Sequence, residues 1–114
     1  MATEHSTIEY ILDQLRGIEN IFARKMFGEY ALYAEGKVVG LVCDDTLYMK
    51  ITEQGKIFVS THYQEGNAYK GAKVSMVIDA DRIEDREWLS ELVQITAEHI
   101  PLPKKKKQSI IKKS

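Results

Sequence analysis

Apolar residues recur along this chain with a helical period at both ends and in short strand-like runs between them. Ile8, Ile11, Leu12, Leu15 and Ile18 fall three or four apart, which places them on one side of an amphipathic helix. Ser6-Thr7-Ile8-Glu9 reads as a capping box, in which the Ser6 hydroxyl and Glu9 carboxylate satisfy each other's free backbone N–H groups. Gly17 falls where the run ends, so the pattern predicts a helix over about 6–17.

From Arg24 to Ile51 the pattern changes to runs rich in Val, Leu, Tyr and Met. Gly28 interrupts the first run after Phe27, as a bulge or a close backbone approach would. Glu29–Ala34, Lys37–Cys43 and Thr46–Ile51 follow as strands. Glu35-Gly36 has the form of a two-residue hairpin turn, and Asp44-Asp45 is a second polar turn. Links this short make antiparallel neighbours, because a parallel return needs a crossover of about a dozen residues. The segment reads as a β-meander.

A weaker helix opens at Thr52-Glu53 and runs towards Tyr63, with Ile57, Phe58 and Thr61 on one side. Gly55 inside it costs roughly 1 kcal/mol relative to alanine. Residues 64–71 read as loop, Lys73–Ile78 as a further strand, and 84–99 as a last helix started by Asp81 or Glu84. Its inward face is Trp88 or Leu89, then Leu92, Val93, Thr96 and Ala97. Pro101 and Pro103 stop it.

A chain of 114 residues is about one domain, large enough for a core without disulfide or metal staples. The 44% hydrophobic and 29% charged fractions are those of a globular chain. The start shows no secretory signal, no apolar run spans a bilayer, and Cys43 is a lone cysteine; the expected compartment is the cytoplasm. The net charge of −1 conceals an asymmetry. Residues 1–103 carry ten basic and seventeen acidic side chains, a formal −7, and 104–114 carry +6. The division is a folded domain over 1–103 and a lysine-rich flexible tail over 104–114.

The run Arg24-Lys25-Met26-Phe27-Gly28-Glu29-Tyr30, with Leu32-Tyr33, Gly36, Leu41-Val42, Leu47-Tyr48-Met49-Lys50, Tyr69, Val74-Ser75-Met76 and Trp88-Leu89, resembles the TfoX (Sxy) N-terminal domain family in order and over about residues 10–100. Arg24, Lys25, Met26, Phe27, Gly28 and Tyr30 carry the most specific part. Where the family has a second glycine after Gly28, this chain has Glu29. The resemblance implies a two-layer α+β fold, an antiparallel β-meander sheet packed by N- and C-terminal helices, similar to secretion chaperones. Full-length members regulate DNA-uptake competence genes alongside a transcription activator and carry a second, C-terminal domain. This chain is expected to be a stand-alone N-terminal domain and not an enzyme.

Candidate chemistry is sparse. His5, His62 and His99 lack the close spacing of a metal site, and no cofactor fingerprint is present. Cys43 ends an apolar strand, and Asp44 and Asp45 beside it would raise its pKa. Asp79, Asp81, Glu84 and Asp85 cluster where carboxylates cap a helix start. Alternation along the last meander strand turns Leu47, Met49 and Ile51 towards the helices and leaves Tyr48 and Lys50 on the uncovered face. Tyr33 and Tyr69 complete the expected contacts, with Arg24, Lys25 and Lys73 as further candidates. The favoured reading is a regulatory or adaptor domain that binds a protein partner, or a second copy, through this face. The rival is a nucleic-acid-associated protein working through Lys104, Lys105, Lys106 and Lys107. A third reading is a small-molecule or catalytic pocket under the Arg24–Tyr30 loop.

Overall fold

The computed structural model describes residues 3–101. Its elements run α1 (His5–Gln14), β1 (Phe22–Met26), β2 (Glu29–Ala34), β3 (Lys37–Cys43), β4 (Thr46–Met49), α2 (Glu53–Val59), a 3-10 turn (Ser60–His62), β5 (Glu65–Asn67), β6 (Val74–Ile78), α3 (Ala80–Ile83) and α4 (Arg86–His99). The strands form one antiparallel sheet in the order β1-β2-β3-β4-β6-β5. The fold is the expected two-layer α+β arrangement.

Three two-residue turns build the meander. Met26 pairs with Glu29, Ala34 with Lys37 and Cys43 with Thr46. Both residues of each turn have positive φ: Phe27 and Gly28, Glu35 and Gly36, Asp44 and Asp45. That is the mirror-image turn whose twist suits a hairpin. Gly28 therefore belongs to a turn and not to a bulge within a strand. The bulge lies farther on, where Leu32 pairs with Gly40 but Tyr33 pairs with Val38. Val39 is the extra residue, and its side chain is fully buried.

The helices cover one face of the sheet. Ile8, Ile11 and Leu15 from the first helical stretch and Leu89, Leu92, Val93 and Ala97 from α4 pack on Leu32, Val42, Leu47, Met49, Met76 and Ile78. Each large apolar side chain buried this way contributes roughly 1.5–3 kcal/mol. Gly55 of α2 is required by close approach: a Cβ there would stand 2.9 Å from Thr52 Oγ1 and 3.6 Å from a Leu92 methyl. Thr52 caps α2 by accepting from the Gly55 N–H at 2.9 Å. The inward residues of α2 are Gly55, Val59 and partly Phe58; Ile57 is 76% exposed and Thr61 is exposed too, contrary to the periodicity reading. A helix of seven residues is too short for its period to fix a face.

The caps also differ from expectation. The first helix starts at His5, and its N-cap residue, Glu4, makes no side-chain cap. Asp45, from the β3–β4 turn, ties the helix start to the sheet instead: its Oδ1 accepts from the Glu4 N–H and from the Thr7 hydroxyl, both at 2.8 Å. The Ser6–Glu9 box loses to this long-range partner. Asp45→Ala is expected to cost about 1 kcal/mol of stability, read as a lower urea midpoint, while Ser6→Ala leaves the midpoint nearly unchanged. For α4 the cap is Asp85, which accepts from the Trp88 N–H at 3.1 Å.

Candidate functional site

The open face of the sheet follows from strand alternation. Leu47 and Met49 are fully buried, whereas Tyr48 between them is half-buried and turned to the other side. The register places Ala31, Leu41, Tyr48 and Val77 side by side across β2, β3, β4 and β6 on that face. At the neighbouring strand Gly66 has no room for a side chain, since a Cβ would fall 2.7 Å from Val77 Cγ2 and 3.6 Å from Tyr48 Cε2. The bare backbone of Gly66 thus lets the tyrosine ring lie towards β5.

Residues 69–75 rise beside Tyr48 and turn this face into an open groove of about 750 Å³, lined by Leu41, Tyr48, Lys50, Tyr69, Lys73 and Val74 among others. Within this wall the Ala72 N–H donates to the Tyr69 carbonyl at 3.0 Å, and Asn67 Nδ2 donates to the Ala72 carbonyl at 2.7 Å. Tyr69 is 57% exposed. Lys50 and Lys73 stand free at the rim, with no carboxylate ion pair among the described residues. None of the seventeen acidic side chains lines the groove. Ile51, expected to face the helices, reaches the core only in part and also borders the groove, because the strand ends at Met49 and its alternation ends with it.

Three of the four expected contacts, Tyr48, Lys50 and Tyr69, therefore meet at one place. Tyr33 does not join them. It lies on the same face nearer β1, with its ring stacked on Phe22 at 4.7 Å and the Arg24 guanidinium 6.0 Å away. Leu41 and Val74 went unsuspected as lining, although strand alternation alone would have placed Leu41 beside Tyr48.

The motif Arg24–Tyr30 forms the end of β1, the hairpin tip and the start of β2. Tyr30 is core. Phe27 is 102% exposed at positive φ, a conformation costing on the order of 1 kcal/mol for an L residue. Neither the groove nor a smaller concavity of about 360 Å³ beside the start of α1 lies under this hairpin.

Glu29 fastens the N-terminal segment. Its Oε1 accepts from the Asp44 N–H at 3.1 Å and from the Thr3 hydroxyl. The Thr3 N–H donates to the Gly28 carbonyl at 3.2 Å. Cys43 is buried beside this cluster. Burial, and then the Glu29 charge, push its thiol pKa up; the source of charge is Glu29 rather than the adjacent Asp44 and Asp45. A raised pKa means less thiolate at any given pH. Native Cys43 is expected to react with iodoacetamide at pH 8 at least about tenfold more slowly than in urea; equal rates would contradict this placement.

Among the described residues no group of three His, Cys, Asp or Glu side chains is placed to hold a metal ion, and no helix is long and apolar enough to cross a membrane. Lys104–Lys107 lie outside the described residues.

The molecule is thus an α+β domain with one sheet face sealed by helices and the other open, tyrosine-bearing and cationic. The chain belongs to the TfoX N-terminal domain family, which it matches over residues 13–100. It is also similar to the uncharacterized 12.7 kDa protein in the trpE 5′ region of Spirochaeta aurantia, with 37% identity over 107 residues, covering 94% of this chain and 91% of that one.

Proposed function

We propose that this chain is a regulatory or adaptor domain, without catalysis of its own, that holds another protein on the open face of its sheet. The observation that carries this reading is the groove itself. Two tyrosines and two unpaired lysines meet over an apolar floor, on a body of formal charge −7 whose acidic side chains all lie elsewhere. Aromatic rings that keep a polar edge, ringed by charge, are what protein contacts favour. The partner surface that suits it presents apolar or aromatic groups flanked by carboxylates. Membership in the TfoX family favours a regulatory role, and a part in competence is the narrower form of the same reading.

Immobilised wild-type chain and Tyr48→Ala/Lys50→Ala chain, both incubated with lysate from the native cell, test the proposal. Proteins retained by the first and lost by the second, with matching circular dichroism, support the groove. Unchanged retention discards it. Loss that follows deletion of residues 104–114 instead, and that nuclease treatment reproduces, favours the nucleic-acid reading. Sedimentation equilibrium shows whether the retained partner is a second copy.

A further inference from the structure

At the far end of the sheet from the groove wall, β1 is an edge strand with an unusual tip. In a ladder closed by a two-residue turn, the pairs Met26–Glu29, Arg24–Ala31 and Phe22–Tyr33 exchange the hydrogen bonds. The main-chain groups of Ala23 and Lys25 therefore turn outward, and none of the hydrogen bonds among the described residues uses them. Proteins ordinarily blunt such an edge, because it templates another strand. Here Phe22, Met26 and Phe27 are exposed along it. Phe27 is the most telling of the three: it occupies a left-handed turn position suited to asparagine or glycine, yet packs on nothing.

We propose that the outer edge of β1 accepts an extended, acidic segment of a partner protein as an additional strand, with Phe27 inserting into that partner. Charge selects the occupant. Arg24 lies on the open-face side of this edge strand beside Tyr33 and Lys25 on the opposite side, so a second copy paired about a two-fold axis at these residues would set the cations against their own images, which is unfavourable. The lysine-rich residues 104–114 are disfavoured for the same reason. A strand bearing carboxylates meets both cations and takes up the free main-chain groups, the usual mode of strand addition. This site is separate from the groove and stands whether or not the groove binds a partner.

The test uses the 15N-labelled full chain and two blocked nonapeptides, Glu-Glu-Val-Thr-Val-Thr-Val-Glu-Glu and its counterpart with lysine for every glutamate. The acidic peptide is expected to shift the Ala23 and Lys25 amides and slow their exchange, and to bind at least about tenfold more tightly than the basic one. Lys25→Pro removes an outward donor and leaves the ladder to β2 intact; it should abolish the exchange protection, and Lys25→Gln should keep part of it. Phe27→Asn puts a preferred residue into the turn, so the melting temperature should hold or rise while peptide binding weakens. A tip conserving only the fold would show the opposite. Equal binding of the two peptides, shifts confined to Tyr48–Ser75, no shift at millimolar peptide, or full affinity in Phe27→Asn would each overturn the proposal. So would sedimentation with phosphatidylglycerol vesicles that Phe27→Asn abolishes while the acidic peptide stays inert, since that outcome makes the edge a lipid contact.

Discussion

Leu47→Ala is expected to lower the unfolding free energy by about 2–5 kcal/mol, whereas Tyr48→Ala, one residue along, costs about 1 kcal/mol or less. Leu47 is fully buried between the sheet and the helices, so truncation removes its burial and leaves a cavity that close-packed neighbours cannot fill. Tyr48 faces the groove and lies beside Val77, and its loss opens space already in contact with water. Urea unfolding followed by far-ultraviolet circular dichroism separates the two. Equal shifts in midpoint would mean that the faces of β4 have been assigned wrongly.

The second large effect concerns the groove. Removing Tyr48 and Lys50 together is expected to weaken partner binding by at least about thirtyfold, the size of a central hot spot. The two side chains act differently. Tyr48 supplies buried ring area, so its loss should appear in the off-rate at any ionic strength. Lys50 sits at the rim, and rim charges mainly set the on-rate and its salt dependence. Lys50→Ala alone should therefore flatten the decline of affinity with salt and leave the high-salt affinity close to wild type. A surface-plasmon series from low to high salt reads both effects. Ile57→Ala on the helical side, where the side chain is exposed to water, should change neither.

Much of the architecture was readable in the chain because its turns are short. Glu35-Gly36 and Asp44-Asp45 each force antiparallel neighbours, and the buried alternation of Leu47 and Met49 follows from strand period alone. Phe27-Gly28 escaped recognition as a turn because a phenylalanine is out of place at a left-handed position. β5 escaped because Glu65-Gly66-Asn67 has no apolar alternation; it is a strand only through its pairing with β6. The hydrogen bonds that hold the start of α1 come from Asp45, about forty residues away in the chain, beyond any local pattern. For the same reason the groove was half visible. Tyr48 and Lys50 share a strand, but the wall carrying Tyr69, Lys73 and Val74 depends on how residues 68–73 fold back, which periodicity does not encode. Tyr33 is set apart from that group by β3, which lies between its strand and β4, and by its place next to the β2–β3 turn.

Hydrogen–deuterium exchange of the chain alone and with the captured partner reads which face of the sheet the partner covers. Slowed exchange across β4 and residues 69–75, with α1 and α4 unaltered, is the predicted footprint. Protection confined to the helices, with the Tyr48 segment exchanging as before, would contradict it.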